Sequence, residues 1–126
     1  MAWLTRSGGD TLEGGSATLG ASDSATSKPQ RVGNAGRNVV IDVKCSGVTV
    51  ATGVTATLQD SSDGFTTSND KKSVSITGDG TFSITLLADA SADQTYLPLR
   101  PSMRIKFETG AGDALTVDEL RITQDQ

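Results

Sequence analysis

Alternation of apolar and polar residues is the feature that most limits what this chain folds into. From Arg37 onward, apolar side chains recur at every second position over several short stretches. These stretches are Arg37–Cys45, Val54–Gln59, Ser73–Thr77, Thr81–Leu86 and Met103–Glu108. A period of two places the apolar side chains of a stretch on one face of a β-strand. Each predicted strand therefore turns one face to a core and the other to water or to a partner.

Glycine-rich turns separate the predicted strands. Gly78-Asp79-Gly80 offers the positive φ angles of a tight turn, which predicts a hairpin between Val74–Thr77 and Thr81–Leu86. Gly110-Ala111-Gly112-Asp113 predicts a second hairpin, between Met103–Thr109 and the last strand.

The last strand changes phase along its length. Leu115 and Val117 share one phase, whereas Leu120 and Ile122 share the opposite one, and this slip at residues 118–119 predicts a β-bulge. Short strands at regular spacing with turn residues between them predict an all-β fold. An antiparallel β-sandwich, jelly roll or Greek-key barrel fits this pattern.

The first part of the chain has a different composition. Residues 7–35 are mostly Gly, Ser, Thr, Ala and Asp, with too little apolar surface to offset the entropy of ordering. We therefore predict an extended Gly/Ser-rich N-terminal arm or edge segment over residues 1–36 and a β-sandwich domain over 37–126. Trp3 and Leu4 precede the polar stretch, so they begin a first strand of the same sheet or dock on another molecule.

The residue types needed for common catalytic sites are missing. Histidine is absent and Cys45 is the only cysteine, so neither a Ser–His–Asp or Cys–His arrangement nor an ordinary zinc site can be built. Paired carboxylates remain, but the aromatic residues that line glycosidase clefts are scarce, at 4% of the chain. We predict a protein without enzymatic activity, catalytic residues or cofactors. The lone Cys45 is expected to be a buried, inert thiol.

Charge and hydropathy exclude two further classes of partner. The net charge is −4, and the 11 basic residues are scattered, with Lys71-Lys72 the only pair, so no nucleic-acid surface is predicted. No apolar run approaches the ~20 residues of a membrane helix. The first six residues lack the layout of a signal peptide. We therefore expect synthesis and assembly in a cytoplasm, without membrane association.

Three acidic residues raise the question of calcium. Asp60, Asp63 and Asp70 surround one polar loop, and calcium prefers oxygen ligands. The spacing of a calcium-binding loop is missing, and aspartate is common in turns for local reasons. No metal site is predicted, although calcium binding by this loop stays open.

A proline-containing segment is the main candidate for protein contacts. Residues 96–101 read Tyr-Leu-Pro-Leu-Arg-Pro, and two prolines three positions apart impose an extended path. One interpretation is a rigid connector into the next strand. The other is a stiff ridge that presents Tyr96 and Arg100 to a neighbour, since Tyr and Arg are favoured at interface hot spots. The candidate interface residues are Trp3, Leu4, Tyr96, Leu97, Leu99 and Arg100.

The order of segments in the second half of the chain resembles a known family. These segments are Leu58–Phe65 (Leu-Gln-Asp-Ser-Ser-Asp-Gly-Phe), Thr81–Ile84, Tyr96–Pro101 and Gly110–Asp113. Over roughly residues 37–124 this layout is similar to bacteriophage capsid cement or decoration proteins, which stabilise virion heads. The resemblance implies a jelly-roll-like or sandwich structural protein that forms a homotrimer, or a dimer. It further implies that the oligomer bridges major capsid proteins on the outer capsid surface.

The avidity of linked weak contacts and a closed symmetry would suit that role. On this interpretation the N-terminal arm lies across a capsid or sister subunit and orders on binding. Two other functions stay open: a phage tail or fibre component, and a carbohydrate-binding or adhesion module. The last would need exposed aromatic platforms, for which Trp3, Phe65 and Tyr96 are available.

Overall fold

The structure is a computed structural model that describes residues 2–6, 11–13, 17–31, 38–87, 99 and 101–125. All regular elements within these ranges are β-strands. They are β1 (Ala2–Arg6), β2 (Thr11–Glu13), β3 (Ala17–Leu19), β4 (Ser24–Ser27), β5 (Gln30–Arg31), β6 (Asn38–Thr49), β7 (Thr55–Ser61), β8 (Asn69–Ser75), β9 (Gly80–Leu86), β10 (Ser102–Glu108) and β11 (Ala114–Asp125). The described residues contain no helix that is long and apolar enough to cross a membrane.

The strands form two antiparallel sheets. Sheet A has the order β2-β1-β4-β10-β7-β8, with β5 also paired to β10, and sheet B has the order β3-β11-β6-β9. The apolar faces of both sheets contribute to one core, as the period of two predicts. The largest fully buried side chains include Phe107, Met103 and Leu58 from sheet A and Ile41, Ile84 and Leu115 from sheet B. The prediction of an antiparallel β-sandwich is confirmed.

The described parts of the first 36 residues contain five strands of this sandwich, β1 to β5. β1 pairs with β4, and β4 lies between β1 and β10 inside sheet A. Leu19 of β3 and Ala25 of β4 belong to the core, with exposures of 0% and 1%. Of the two interpretations of the N-terminus, the structure therefore shows the first strand of the chain's own sheet. The domain boundary at residues 36 and 37 stays a prediction.

Both predicted hairpins are wrong, because each of these turns connects the two sheets. β8 pairs with β7 in sheet A, whereas β9, which follows Gly78-Asp79-Gly80, pairs with β6 in sheet B. Asp79 Oδ1 accepts a hydrogen bond of 2.9 Å from the Val48 backbone N–H, which links this turn to the end of β6. The turn at Gly110–Asp113 likewise leads from β10 in sheet A to β11 in sheet B. A tight glycine turn is compatible with either connection, so composition alone did not distinguish them.

The bulge predicted in β11 is confirmed. The register of β11 against β6 shifts between Val117 and Glu119. Beyond the shift, Leu120 is opposite Val43 and Ile122 is opposite Ile41, both of which are fully buried. The extra residue therefore keeps Leu120 and Ile122 on the core side, where they pack against the buried cluster.

A buried carboxylate ties together the loops at one end of the sandwich. Asp113 accepts hydrogen bonds from the backbone N–H groups of Ala51, Thr52, Gly53 and Gly110, at 2.5–3.0 Å. We call this group the Asp113 clamp. It joins the β6–β7 loop to the β10–β11 turn, and hence the two sheets to each other.

Candidate ligand-binding face of sheet A

Three polar side chains form a row across the outer face of sheet A. Gln59 of β7 is directly opposite Arg104 of β10 on one side and Asp70 of β8 on the other. Arg104 Nε donates to Gln59 Oε1 at 2.9 Å, and Gln59 Nε2 donates to Asp70 Oδ1 at 2.7 Å. Met103 and Ile105, which flank Arg104 in β10, are fully buried, so Arg104 has the outward phase. We call Arg104, Gln59 and Asp70 the polar row.

The loop between β7 and β8 is closed by its own side chains. Ser61 Oγ lies 2.7 Å from both Asp63 Oδ1 and the Thr67 carbonyl oxygen, and its single proton is donated to one of these two acceptors. Asp63 also accepts from the backbone N–H of Thr67 at 3.0 Å and from its hydroxyl at 2.6 Å. These bonds, the Thr67 hydroxyl above all, lower the pKa of Asp63 to about 2. The loop is therefore held in one conformation by an ionised carboxylate.

That loop places an aromatic ring beside the polar row. The Arg104 Cζ atom lies 4.2 Å from the centroid of the Phe65 ring, which is a cation–π contact. Phe65 has a φ of 66°, in a region that bulky side chains rarely adopt. Burial lowers the pKa of Arg104, whose side chain is partly buried. The loop thus accepts an unfavourable backbone angle at the residue that contacts Arg104.

The outer face of sheet B has a different character. Asp42 and Lys44 of β6 lie opposite Arg121 and Glu119 of β11, around an open, shallow depression. Arg121 Nη2 lies 3.1 Å from Glu119 Oε1, and Ser83 donates to Asp42 at 2.6 Å. Three of the four charged groups, Arg121, Glu119 and Asp42, therefore have partners within the chain, as in an ordinary solvated surface.

A second open depression lies along one side of the sandwich. Its lining combines Ser27, Lys28 and Gln30 from the β4–β5 region with residues 118–120 and Ile122 of β11. Neither depression contains Gln59, Arg104 or Asp70. Within the row, Asp70 is exposed, Arg104 is partly buried and Gln59 is buried, with 3% exposure.

The three aspartates considered for calcium are not brought together. Asp60 is fully buried, with its Oδ2 3.8 Å from Lys71 Nζ, whereas Asp70 accepts from Gln59 and Asp63 from Ser61 and Thr67. In the part of the chain that the structure describes, no group of three His, Cys, Asp or Glu residues could hold a metal ion.

The predicted interface residues have different positions. Trp3 and Leu4 lie in β1, on the strand that pairs with β4. Leu99 is buried in the core, with 7% exposure, so it is not a surface residue of the single chain. Tyr96, Leu97 and Arg100 lie outside the described residues. Cys45 is buried as expected, and burial, with Asp118 and Asp79 nearby, raises the pKa of its thiol to about 11.

Sequence reasoning found only part of the polar row and its aromatic neighbour. Phe65 was an available aromatic platform and Asp70 a polar loop residue, but Gln59 and Arg104 were missed. Both sit at the polar phase of predicted strands, which is the signal that could have identified them. Their proximity depends on the pairing of β7 with β10, strands that are more than 40 residues apart and are not joined by a turn.

Comparison with known proteins gives a fold relationship. No family model matches the chain, and no curated protein matches it. A solved structure described as "CBM4 structure and function" matches with a TM-score of 0.58 and 16% identity, over 97% of this chain and 78% of that one. A Xylanase10C mutant from Cellvibrio japonicus in complex with xylopentaose matches with a TM-score of 0.54 and 16% identity. That match covers 100% of this chain and 27% of the xylanase chain.

A third structure is described as concerning the carbohydrate-binding modules of the β-sandwich superfamily. It matches with a TM-score of 0.49 and 12% identity, over 98% of this chain and 54% of that chain. Identities this low relate folds and carry no residue roles. The first two matches show that the chain has an all-β sandwich fold similar to parts of those two structures.

Proposed function

We propose that this chain is a non-catalytic carbohydrate-binding module whose ligand lies on the outer face of sheet A. The observation that carries the proposal is the polar row together with Phe65. It combines an acceptor carboxylate, a planar cation and an aromatic ring, with the buried amide of Gln59 hydrogen-bonded to both charged groups. Sugar-binding needs this combination, because hydroxyl groups require well-placed donors and acceptors while the ring carbons require an apolar contact.

Rigidity of the row supports the proposal. Arg104, Gln59 and Asp70 come from three adjacent hydrogen-bonded strands, and the Asp63 network fixes the loop that carries Phe65. Side chains that are already held in place lose little conformational entropy when a ligand binds. The fold relationship to carbohydrate-binding modules agrees with a ligand-binding role for such a sandwich.

Glycan binding by the purified chain tests the proposal. We expect binding to at least one member of a panel of soluble and insoluble polysaccharides, measured by affinity electrophoresis, pull-down and calorimetry. Phe65→Ala should weaken that binding by roughly ten-fold, the effect of losing about 1.4 kcal/mol of contact. Arg121→Ala, on the outer face of sheet B, is the matched control and should bind as the unmodified chain does.

Two results would contradict the proposal. One is a folded chain that binds no glycan of the panel. The other is binding that Arg121→Ala weakens and Phe65→Ala does not, since the ligand would then lie on sheet B.

Capsid decoration is the second candidate function, and the sequence resemblance over residues 37–124 supports it. In that case the chain forms a homotrimer or dimer on the outer capsid surface and bridges major capsid proteins. Binding only to the mature shell would stabilise the shell by mass action. The two candidates differ in their ligand, so they make different predictions for the same purified protein.

Cryo-electron microscopy of heads incubated with the protein tests this second candidate. Density for a β-sandwich oligomer on the symmetry axes of the capsid would support it, and undecorated heads would exclude it. Deletion of residues 1–20 should lower occupancy if the N-terminal segment makes the contact. Because that deletion also removes β1 and β3 from the two sheets, a circular dichroism spectrum must first show that the variant folds.

A further inference from the structure

Arg104 is a partly buried cation, and no acidic partner for it is found in the part of the chain that the structure describes. Its Nε donates to a neutral amide, Gln59 Oε1, and its Cζ lies over the Phe65 ring, 4.2 Å from the centroid. Among the described residues, neither a carboxylate within ion-pair distance of Arg104 nor a hydrogen bond from its two terminal nitrogens is found. Cations that lose water on folding are usually paired with an anion, since desolvation of the charge is costly.

The geometry leaves the recognition edge of this guanidinium available. A guanidinium presents its donors as a planar fork that matches the two oxygens of a carboxylate. Gln59 and Phe65 restrain this fork, because Gln59 accepts a hydrogen bond from Nε and the Phe65 ring lies under Cζ. The two terminal nitrogens are therefore oriented before any ligand arrives.

The surroundings select a particular kind of anion. The chain carries a net charge of −4, so its overall field repels densely charged polyanions. Lys106, the next outward residue of β10, lies 3.5 Å from Glu108 and is already paired. A single desolvated cation within polar surroundings suits an isolated carboxylate on an otherwise neutral, hydroxylated molecule.

The distance between Asp70 and Arg104 indicates the length of the ligand. Asp70 lies two strands from Arg104 in the same row, about 10 Å away by the usual spacing of paired strands. Its carboxylate accepts one bond from Gln59 and has further lone pairs for hydroxyl donors. A ligand that reaches both groups is longer than one sugar ring, with its carboxylate at the Arg104 end.

From this arrangement we infer that the site binds uronic-acid-containing oligosaccharides, with the terminal guanidinium nitrogens of Arg104 holding a uronate carboxylate. The inference rests on the proposed carbohydrate-binding function and specifies its ligand class. Phe65 and Gln59 act as positioning residues for the guanidinium, and Asp70 contacts hydroxyl groups of the neighbouring sugar.

Matched ligands and matched variants test the inference. The ligands are a galacturonate oligosaccharide, its methyl ester and a galactose oligosaccharide of the same length, compared by isothermal calorimetry. We expect the acid to bind roughly ten-fold or more tightly than the ester or the neutral sugar, because a charge-assisted bidentate pair is lost in both. High salt should weaken binding of the acid alone.

Arg104→Gln should remove the preference for the acid, and Arg104→Lys should retain part of it, since charge remains without the planar fork. Arg121→Gln, at an arginine on the opposite sheet, should leave the preference unchanged. Melting curves for each variant show that it folds, and Arg104→Lys preserves the test if Arg104→Gln does not fold.

The outcomes separate the inference from the function on which it rests. Equal affinity for the acid and the neutral sugars, with loss of binding in Phe65→Ala, would overturn the uronate inference and leave the carbohydrate-binding function intact. A preference for the acid that survives Arg104→Gln would also overturn it. Absence of binding to any charged or neutral glycan would overturn both.

Discussion

Asp113 and Asp63 are both ionised and both accept hydrogen bonds from the backbone of loops. They differ in how far apart in sequence the connected residues are. Asp113 accepts four backbone N–H groups, three of which lie about 60 residues away in the β6–β7 loop. Asp63 accepts from Ser61 and Thr67, within its own loop. The first network holds the two sheets together, whereas the second holds one loop beside the polar row.

The loops around Asp113 and Asp63 also differ in which residues have positive φ angles. Near the Asp113 clamp, the positive φ of 79° is at Gly112, a residue without a side chain to clash. In the β7–β8 loop, Gly64 has a φ of 69° and is followed directly by Phe65 at 66°. The clamp region is thus built from residues that suit their conformation, whereas the loop holds an aromatic residue where it is disfavoured. Strain of this kind tends to occur at functional sites.

The largest expected effect follows from removal of the clamp. Asp113→Asn replaces an acceptor-only carboxylate by an amide, whose NH₂ group meets N–H donors that it cannot satisfy. Asp113 is only 2% exposed, so the new amide stays enclosed by the two loops and its NH₂ group faces at least one of these donors. We expect the melting temperature, measured by circular dichroism, to fall by roughly 10 °C.

Asp63→Asn is the matched comparison, and its melting temperature should change much less. Its loop is exposed and its hydrogen bonds close only a short segment. Equal losses of melting temperature in the two variants would show that Asp113 does not stabilise the fold more than Asp63 does.

Acid should destabilise the protein through the same two carboxylates. The hydrogen bonds from the Thr52 backbone and its neighbours lower the pKa of Asp113 from 3.8 to about 2, and Asp63 is lowered to about 2 as well. A folded pKa below the unfolded value contributes stability that is present above about pH 4 and is lost as the pH falls through about 2. Melting temperatures should therefore fall between pH 4 and pH 2, and less steeply in Asp113→Asn. An identical slope in that variant would show that other groups control the acid response.

A smaller effect is expected from crowding at the clamp. A Cβ atom at Gly110 would lie 2.8 Å from the Cβ of Thr52 and 3.2 Å from Asp113 Oδ2, so Gly110→Ala forces the two loops apart. We expect a loss of about 1–3 kcal/mol in the free energy of unfolding, measured in urea. Gly53→Ala is the control, because its Cβ would meet nothing within 4 Å. Equal losses for both variants would mean that close approach of the loops does not matter.

The sequence predicts features that depend on local pattern, but it does not predict which distant strands pair. The alternation in Arg37–Cys45 and Met103–Glu108 identified the buried faces of β6 and β10, and the phase change in β11 located its bulge. The partners of these strands were not predictable, because β10 pairs with β4 and β7, neither of which is its neighbour in sequence. The same limit applied to the ligand-binding face, since Gln59 and Arg104 meet only through that pairing.

The polar N-terminal segment forms more ordered strand structure than its composition predicts. β3 and β4 contain small residues that supply little apolar area of their own, yet β4 lies inside sheet A and Leu19 is fully buried. Hydrogen bonds between the turn at residues 20–23 and Thr109 hold this region to the Gly110 turn. Such support comes from distant residues, and it has no local pattern in the sequence.

The smallest expected effect on stability concerns the strained residue of the loop. Phe65→Ala and Phe65→Gly both remove the ring from Arg104, but only the alanine variant keeps a Cβ atom at a φ of 66°. We therefore expect the glycine variant to be more stable than the alanine variant by about 1 kcal/mol in urea unfolding, the reverse of the usual order. The same pair of substitutions at Thr66, which lies outside the positive-φ region, is the control and should favour alanine. If the alanine variant is more stable than the glycine variant at both positions, the backbone of Phe65 is not strained. The contact of Phe65 with Arg104 would then require no unfavourable conformation of the loop.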